Sequence, residues 1–423
     1  MYYSTNYQKY LAQLKTDFTK LARLEFLNED GSVAFALDNQ KKNKRAKAFI
    51  QSGDISANFQ NGRRRQASVT LANLNGEYDY AIDRIWFGQE IQLSEGLILP
   101  DGTEFYIPQG VFRIENPEEV LAPGHKQVTY QLADKWAALD GSLGGNLEGA
   151  YGVNAGTNIL QAVASLLRLD KYTMANDGEK PIDPIAPLLT NYYNNKTQTL
   201  TNGNTVSLVD APYDYLSAEE GNIGEVILGL CEMLAAWVGY NPVGRLVVDP
   251  SQDDIIDNSK PVLWDFSMNE KQLLSIQSAA KPAEVFNDII VVGATNSESL
   301  TARGRAQNRD IKSDTCISRI GLKTKRIAMK DYYSDQMCQD YAEWQLKRLT
   351  VLGKAVTLST TQMFHIVENQ IITLRRDDKP GSPIERHLVQ GFTRPIGQVG
   401  TMTINAVSVN DFPIATAVTD STV

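Results

Sequence analysis

The chain is poor in the residues that most often announce chemistry. Its 423 residues hold three cysteines and three histidines. Cys231, Cys316 and Cys338 stand far apart, and no pair has the spacing of a metal or redox motif, so isolated reduced thiols are expected. His125, His365 and His387 fall in expected turns or strands with no partner at metal or triad spacing, and read as surface or internally satisfied histidines. HExxH, CxxC, GxSxG and GxxxxGK[ST] are all missing, which removes the metalloprotease, redox, hydrolase and P-loop classes that carry those motifs. The expectation is therefore no catalytic, cofactor-binding or metal-binding residue. No run approaches the roughly 18 apolar residues that span a bilayer, so direct membrane insertion is not expected. The amino-terminal MYYSTNYQKYLAQLKTDF lacks the apolar core and small-residue cleavage site of a secretory leader, and synthesis in a cytoplasm is expected. Basic residues are the minority, 41 against 50 acidic, for a net charge of −9. That balance opposes sequence-independent binding to phosphate backbones.

What is present is an ordinary globular balance, 42% apolar and 22% charged, in a chain long enough for two to four domains. Tyr7, Leu11, Leu14, Phe18 and Leu21 recur at helical spacing, predicting a helix over residues 1–24. Residues 25–37 read as strand, Asp30-Gly31 turn and strand, followed by the basic patch KKNKRAK at 41–47. Residues 65–134 alternate in short β-type runs, ASVTLANL, EIQL, EFYIPQGVFRI and VTYQLAD, with Trp86 and Trp136 as core or rim aromatics. The glycine-dense DGSLGGNLEGAYG at 140–152 closes that unit and reads as a hinge.

NILQAVASLLRL at 158–169 and IGEVILGLCEMLAAWVG at 223–239 read as buried helices. Between them the polar segment 171–216 reads as a long loop or insertion. GRLVVD at 244–249 and PVLWDF at 261–266 are expected to complete this middle domain. EVFNDIIVVGA at 284–294 reads as strand and residues 331–350 as helix, with Met337, Tyr341 and Trp344 on a core-facing stripe. AVTLST, QIITL, RHLVQGF and MTINAVSV then read as strands, and a loose tail is expected from Pro413.

The two β-rich regions resemble each other. ASVTLANL matches AVTLSTT at 355–361, GQEIQL matches NQIITL at 369–374, EFYIPQGVFRI matches ERHLVQGFTRPI, and VTYQLAD matches TINAVSVND. Gln89 and Gln109 lie 20 residues apart, as do Gln370 and Gln390. The connection before each first glutamine differs in length, so that loop is not shared. A chain carrying one β unit twice presents six similar units as a homotrimer, a ring that could mate with a true hexamer.

In that order, with a middle insertion after LDGSLGG, the strand EVFNDIIVVGA and then AVTLST, QIITL and VQGF, the chain resembles the baseplate hub proteins of phage tails and related contractile injection particles. The resemblance covers roughly residues 25–412. It implies an α+β, mainly β fold, with two tube-type β-barrel domains at 25–140 and 281–412 flanking a helical, mixed middle domain at 141–280, after an N-terminal helix at 1–24 and before a tail at 413–423. It also implies a homotrimeric, pseudo-hexameric structural ring that is not an enzyme, sited in a virion tail baseplate. That ring would join a hexameric tail tube or distal tail protein to a threefold spike or fibre, with tape measure and baseplate wedge proteins as further partners. DNA would only pass through its channel, whose wall is expected to be acidic. The long carboxy-terminal extension that carries a spike, adhesin or wall hydrolase in some relatives is not seen here, so a separate chain is expected to supply the tip. The long polar segment at 171–216 departs from the family pattern.

Other residues have types that could carry chemistry. The acidic pairs Glu118-Glu119, Asp253-Asp254 and Asp377-Asp378 read as solvated turns rather than a glycosidase pair. Arg63, Arg64 and Arg65, with the patch at Lys41 to Lys47, read as a solvated or partner-facing basic rim, since no aromatic platform accompanies them. Asn195-Lys196-Thr197 fits a glycosylation acceptor only in a secreted chain. The competing functions are a tail-associated cell-wall hydrolase and a host-surface adhesin built on the Tyr-rich segment 171–216.

Overall fold

The structure is a computed structural model. It describes residues 5–28, 30–40, 50–73, 76–80, 85, 88–123, 125–167, 188–189, 195–250, 261–279, 282–296, 298–351, 355–378, 381, 384–409 and 415–417. The patch at 41–47, Trp86, Asp253-Asp254 and most of 168–194 lie outside the described residues.

Helix α1 (Thr5–Gln13) buries Tyr7 and Tyr10, with Leu14 just beyond it, so the expected stripe is real over two turns. It does not reach Leu21. The Gln13 side-chain amide bonds the Asp17 carbonyl and the chain turns through Lys15 and Thr16, so that Leu21 is buried from strand β1 (Lys20–Leu27) instead. Strand β2 (Val33–Asp38) returns antiparallel to β1 across a turn where Gly31 takes φ +81°, a left-handed value suited to glycine. Five more strands follow: β3 (Ile50–Asn58), β4 (Arg65–Ala72), β5 (Glu90–Ile98), β6 (Glu104–Ala122) and β7 (His125–Asp134).

The middle region holds β8 (Gly152–Val153), helix α2 (Ile159–Leu166), β9 (Leu188–Leu189), β10 (Thr197–Thr199), β11 (Thr205–Ser207), β12 (Tyr215–Leu216), helix α3 (Ile223–Met233), β13 (Ala236–Tyr240) and β14 (Leu246–Pro250). Asn158 and Asn222 cap the two helices by accepting the backbone N–H three residues on. The second helix is shorter than its apolar run. Ala235 adopts φ +49°, which ends the helix, and the Trp- and Val-bearing AWVGY pairs as β13 with β14. Part of the polar segment is ordered too, as the β10–β11 hairpin and the β12–β8 pair. The glycine run is no free hinge. Gly141 N–H bonds the Gly144 carbonyl, Ile223 N–H bonds that of Gly145 and Gly224 N–H that of Leu139, and a side chain on Gly145 would meet the Leu139 backbone at 2.6 Å.

The last region comprises β15 (Val262–Ser267), β16 (Leu273–Ala279), β17 (Asp288–Thr295), β18 (Thr301–Asn308), helix α4 (Ile317–Ile320), β19 (Thr324–Ala328), helix α5 (Asp335–Val351), β20 (Ala355–Thr360), β21 (Ile371–Arg375), β22 (Glu385–Pro395), β23 (Met402–Ser408) and β24 (Ala415–Ala417). The fold is α+β and mainly β, and one 13-stranded sheet dominates it. Within that sheet β3-β4-β7-β6-β5 run as neighbours, all antiparallel, and so do β16-β20-β23-β22-β21. The order of strands along the chain is the same in both sets, so the internal repeat is a repeat of topology.

The two units meet where β22 pairs with β3 from Gly391↔Asn58 to Pro395↔Asp54. A side chain at Gly391 would meet the Ala57 carbonyl at 2.5 Å, so the join requires a glycine. One continuous apolar core lies under both units, from Leu24, Ile91 and Phe112 to Leu358, Phe392 and Ile404. Strand β15, expected in the middle region, instead pairs parallel with β21 in the main sheet. Strands β17, β18, β19 and β24 form a separate four-stranded sheet whose core, Ile289, Val291, Cys338 and Leu346 among others, is closed by α5. Strand β24 ties residues 415–417 to β18, so this part of the expected loose tail is held.

Candidate assembly surfaces and the junction between the repeats

Among the described residues no group of three or more His, Cys, Asp or Glu side chains could hold a metal ion. The three thiols are buried and free, and burial pushes Cys231 and Cys338 up to about 12, far from thiolate reactivity. Glu118 and Glu119 lie on an exposed stretch of β6. Asp377 accepts from the Ser267 hydroxyl, while Asp378 pairs with Arg376. Met337 and Trp344 are buried on α5, as their stripe predicted.

The arginines at 63–65 are not a solvated rim. Arg63 bridges Glu115 and Asp140, Arg64 is buried over the Phe59 ring, and Arg65 is fully buried. The reason is Asp134, whose carboxylate accepts from the N–H groups of Arg64, Arg65 and Trp136 and fixes the start of β4 against the end of β7. Trp136 is correspondingly buried.

Arg65 belongs to a polar junction between the repeats that sequence reasoning missed. Its guanidinium reaches from the first unit to Glu368 of the second at 2.5 Å and to the Gln109 carbonyl at 2.8 Å. In the reverse direction Arg394 of β22 reaches Glu95 of β5 at 2.8 Å and also bonds the Gln109 side-chain oxygen. The Gln109 amide in turn donates to the Phe364 carbonyl at 2.9 Å. Lys20 completes the set 3.1 Å from Glu95, with burial pulling its pKa below the usual lysine value against the pull of that carboxylate. Each unit thus places an arginine on a carboxylate of the other. Such pairs are costly to desolvate and more costly to halve.

The connection from β20 to β21 supplies much of this junction. Between Gln362 and Asn369 every residue except Val367 is buried, and the segment lies in the core as a plug. The Tyr10 hydroxyl accepts from the Phe364 N–H at 2.9 Å and shares a 2.9 Å hydrogen bond with His365 Nδ1. Burial drops the His365 pKa to about 3 and keeps the ring neutral. His387 is also buried, 3.2 Å from Glu385. No alternating pattern marks residues 361–369 as interior, because their partners lie some 300 residues away in the chain.

The matched glutamines both sit at β-bulges on corresponding strands, Gln109 opposite the Leu93/Ser94 step and Gln390 opposite the Asn405/Ala406 step. Their surroundings differ, since Gln109 is fully buried and Gln390 partly exposed.

Three strands of the main sheet, β2, β15 and β16, pair on one side only among the described residues. Strand β2 reads VAFALD, with Val33 50% exposed and no lysine or proline to block pairing. Leu274 on β16 and Val262 on β15 are exposed as well. Strand β6 runs past the end of β5, and the stretch beyond, paired with β7 alone, carries Pro117, Glu118, Glu119 and Leu121, the last 78% exposed. Open apolar edges of this kind invite a further strand, while the proline and glutamates of β6 discourage one.

No protein-family model matches the chain, and no curated protein matches it. Solved structures do share its fold. A tail protein from Neisseria meningitidis superposes with a TM-score of 0.56 at 11% identity, over 93% of this chain and 98% of that one. The 43 kDa tail protein of prophage MuSo2 from Shewanella oneidensis gives 0.53 at 10% identity, over 92% and 98%. The prophage tail protein gp18 from Listeria monocytogenes gives 0.51 at 10% identity, over 93% and 95%. The chain has the fold of these tail proteins across nearly its whole length.

Proposed function

We propose that this chain is a structural, non-enzymatic hub of a phage-type tail baseplate, working as a homotrimer. The observation that carries the reading is the twofold repeat of an antiparallel five-strand unit within one sheet, on a fold shared with tail proteins. Each unit, completed by its flanking strands, acts as one tube-type barrel domain. Three chains give six such positions around an axis, and a threefold assembly then meets a sixfold one without new sequence. The partners are a hexameric tail tube or distal tail protein on one side and a spike or fibre on the other, with tape measure and wedge proteins around them. The open edges β2, β15 and β16 are where neighbouring units complete the ring. The net charge of −9 suits a channel through which DNA moves with little adhesion.

Native mass measurement of the purified chain, with electron microscopy of the same sample, tests this. A trimer seen as a ring with six similar positions is expected. A protein that stays monomeric or dimeric and never enters a ring overturns it. A clearing band on host cell walls, abolished by one carboxylate substitution, would favour the hydrolase instead.

A further inference from the structure

Charge is unevenly spread along this acidic chain. Residues 301–330, which run through β18, α4 and β19, hold nine Lys and Arg against two Asp, a net charge of +7. Residues 197–244 hold six Asp and Glu and no Lys or Arg, a net charge of −6. Both segments place several of those charges at exposed positions.

On the four-stranded sheet, α5 covers the face that carries Ile289, Val291, Ala302 and Ala306. The other face presents two cross-strand rows, Arg305–Ile290–Arg326 and Arg303–Val292–Ala328. Arg303 and Arg326 are exposed and have no carboxylate within ion-pair distance among the described residues, whereas Arg305 is committed to Asp288 at 2.9 Å. Beside this face the β18–β19 connection exposes Ile311 (74%) and Leu322. The acidic counterpart is the exposed side of α3, where Glu225 and Glu232 stand two turns apart, Glu232 near Asp331, with Glu219 and Glu220 in the loop before it. All four are exposed and unpaired among the described residues. Leu216 is 73% exposed on the same segment.

The two faces do not neutralise each other within one chain. The middle region meets the four-stranded sheet from the α5 side, through Trp237 against Trp344 and Thr201 N–H to the Tyr333 carbonyl, while Arg303 and Arg326 point from the opposite side. We infer that the arginine face of the β17–β18–β19 sheet docks on the α3 acidic face of a second copy of this chain. Three features select a second copy over a nucleic acid. The complement is present on the chain itself, each charged segment carries an exposed large aliphatic residue, and Asp310 and Asp314 interrupt the basic segment. The contact joins two different surfaces, so it is heterologous and its repetition either closes a ring or runs on. The inference rests on the ring proposed above and names one of its interfaces.

The test is a charge swap in the full-length chain, read by light-scattering mass over a dilution series, with circular dichroism as the control for folding. Arg303→Glu with Arg326→Glu is expected to weaken self-association about tenfold or more, and Glu225→Arg with Glu232→Arg to do the same. The four changes together should restore association to within about threefold of the parent. A ring that persists unchanged in both double variants overturns this interface and leaves the hub reading standing. A parent chain that never self-associates overturns both. Anisotropy with a random-sequence DNA duplex supplies the remaining arm. Tight binding lost in the arginine variant, with assembly intact, would make the face a nucleic-acid surface and overturn the inference.

Discussion

The two repeated units share strand order and differ in what joins their second strand to their third. In the second unit the link from β20 to β21 runs inward as a plug, with Met363, Phe364, Ile366 and Glu368 buried. The first unit supplies residues that receive it: Tyr10 on the Phe364 N–H, Arg65 on Glu368, Gln109 on the Phe364 carbonyl. The outer neighbours differ as well, β1 antiparallel to β5 but β15 parallel to β21. Two copies of one topology have thus become donor and socket. Neither retains a core of its own, since a single apolar cluster spans both.

The comparison breaks most sharply at the exchanged arginines. Arg394→Met, or Arg65→Met, leaves Glu95 or Glu368 without its guanidinium and is expected to cost about 3–5 kcal/mol. Denaturant melts should still show one transition, because both units lose the same core. Two separate transitions would mean that the units fold independently after all.

The glutamines sharpen it next. Gln109→Ala strips Arg394 and the Phe364 carbonyl of partners and should cost about 2–4 kcal/mol, while Gln390→Ala, partly exposed, should stay within about 0.5 kcal/mol. Equal losses would mean that the difference in burial between the two bulges carries no weight. Tyr10→Phe removes one hydroxyl from the plug and should cost about 1–3 kcal/mol by the same denaturant assay.

The plug also sets a pH slope. His365 stays neutral in the folded chain down to about pH 3, but titrates near 6.5 when unfolded. Between those values the unfolded state binds the extra proton, so stability rises with pH and falls as pH drops from about 6.5 toward 3. The slope due to this group is about 1.4 kcal/mol per pH unit. Stability curves of His365→Gln should be flatter by that amount, and parallel curves would place His365 outside the linkage.

Much of this architecture was legible in the amino-acid pattern. Strands with two-residue alternation and capped apolar helices declared themselves locally, and the repeat emerged from four matched runs. The errors share one cause. Helix α3 continues on paper through AAWVG, but Ala235 takes a left-handed turn and Trp237 packs against Phe59 and Trp344. PVLWDF reads as a middle-region strand until β21 is there to pair with it. Arg64 and Arg65 look like surface charge because Asp134 and Glu368 lie about 70 and 300 residues further along. Wherever the deciding partner is distant, local pattern is silent.

That distance also governs synthesis. Glu95 waits 299 residues for Arg394, and Tyr10 waits 355 for His365. While the ribosome is still working through the middle region, the first unit has its strands but not its plug, and it holds a carboxylate and a tyrosine hydroxyl that only later codons will satisfy. Closure of the core as a whole waits for residues near 394 to be made, a slow, high-contact-order step. Until then a nascent chain cannot present its finished edges to neighbours.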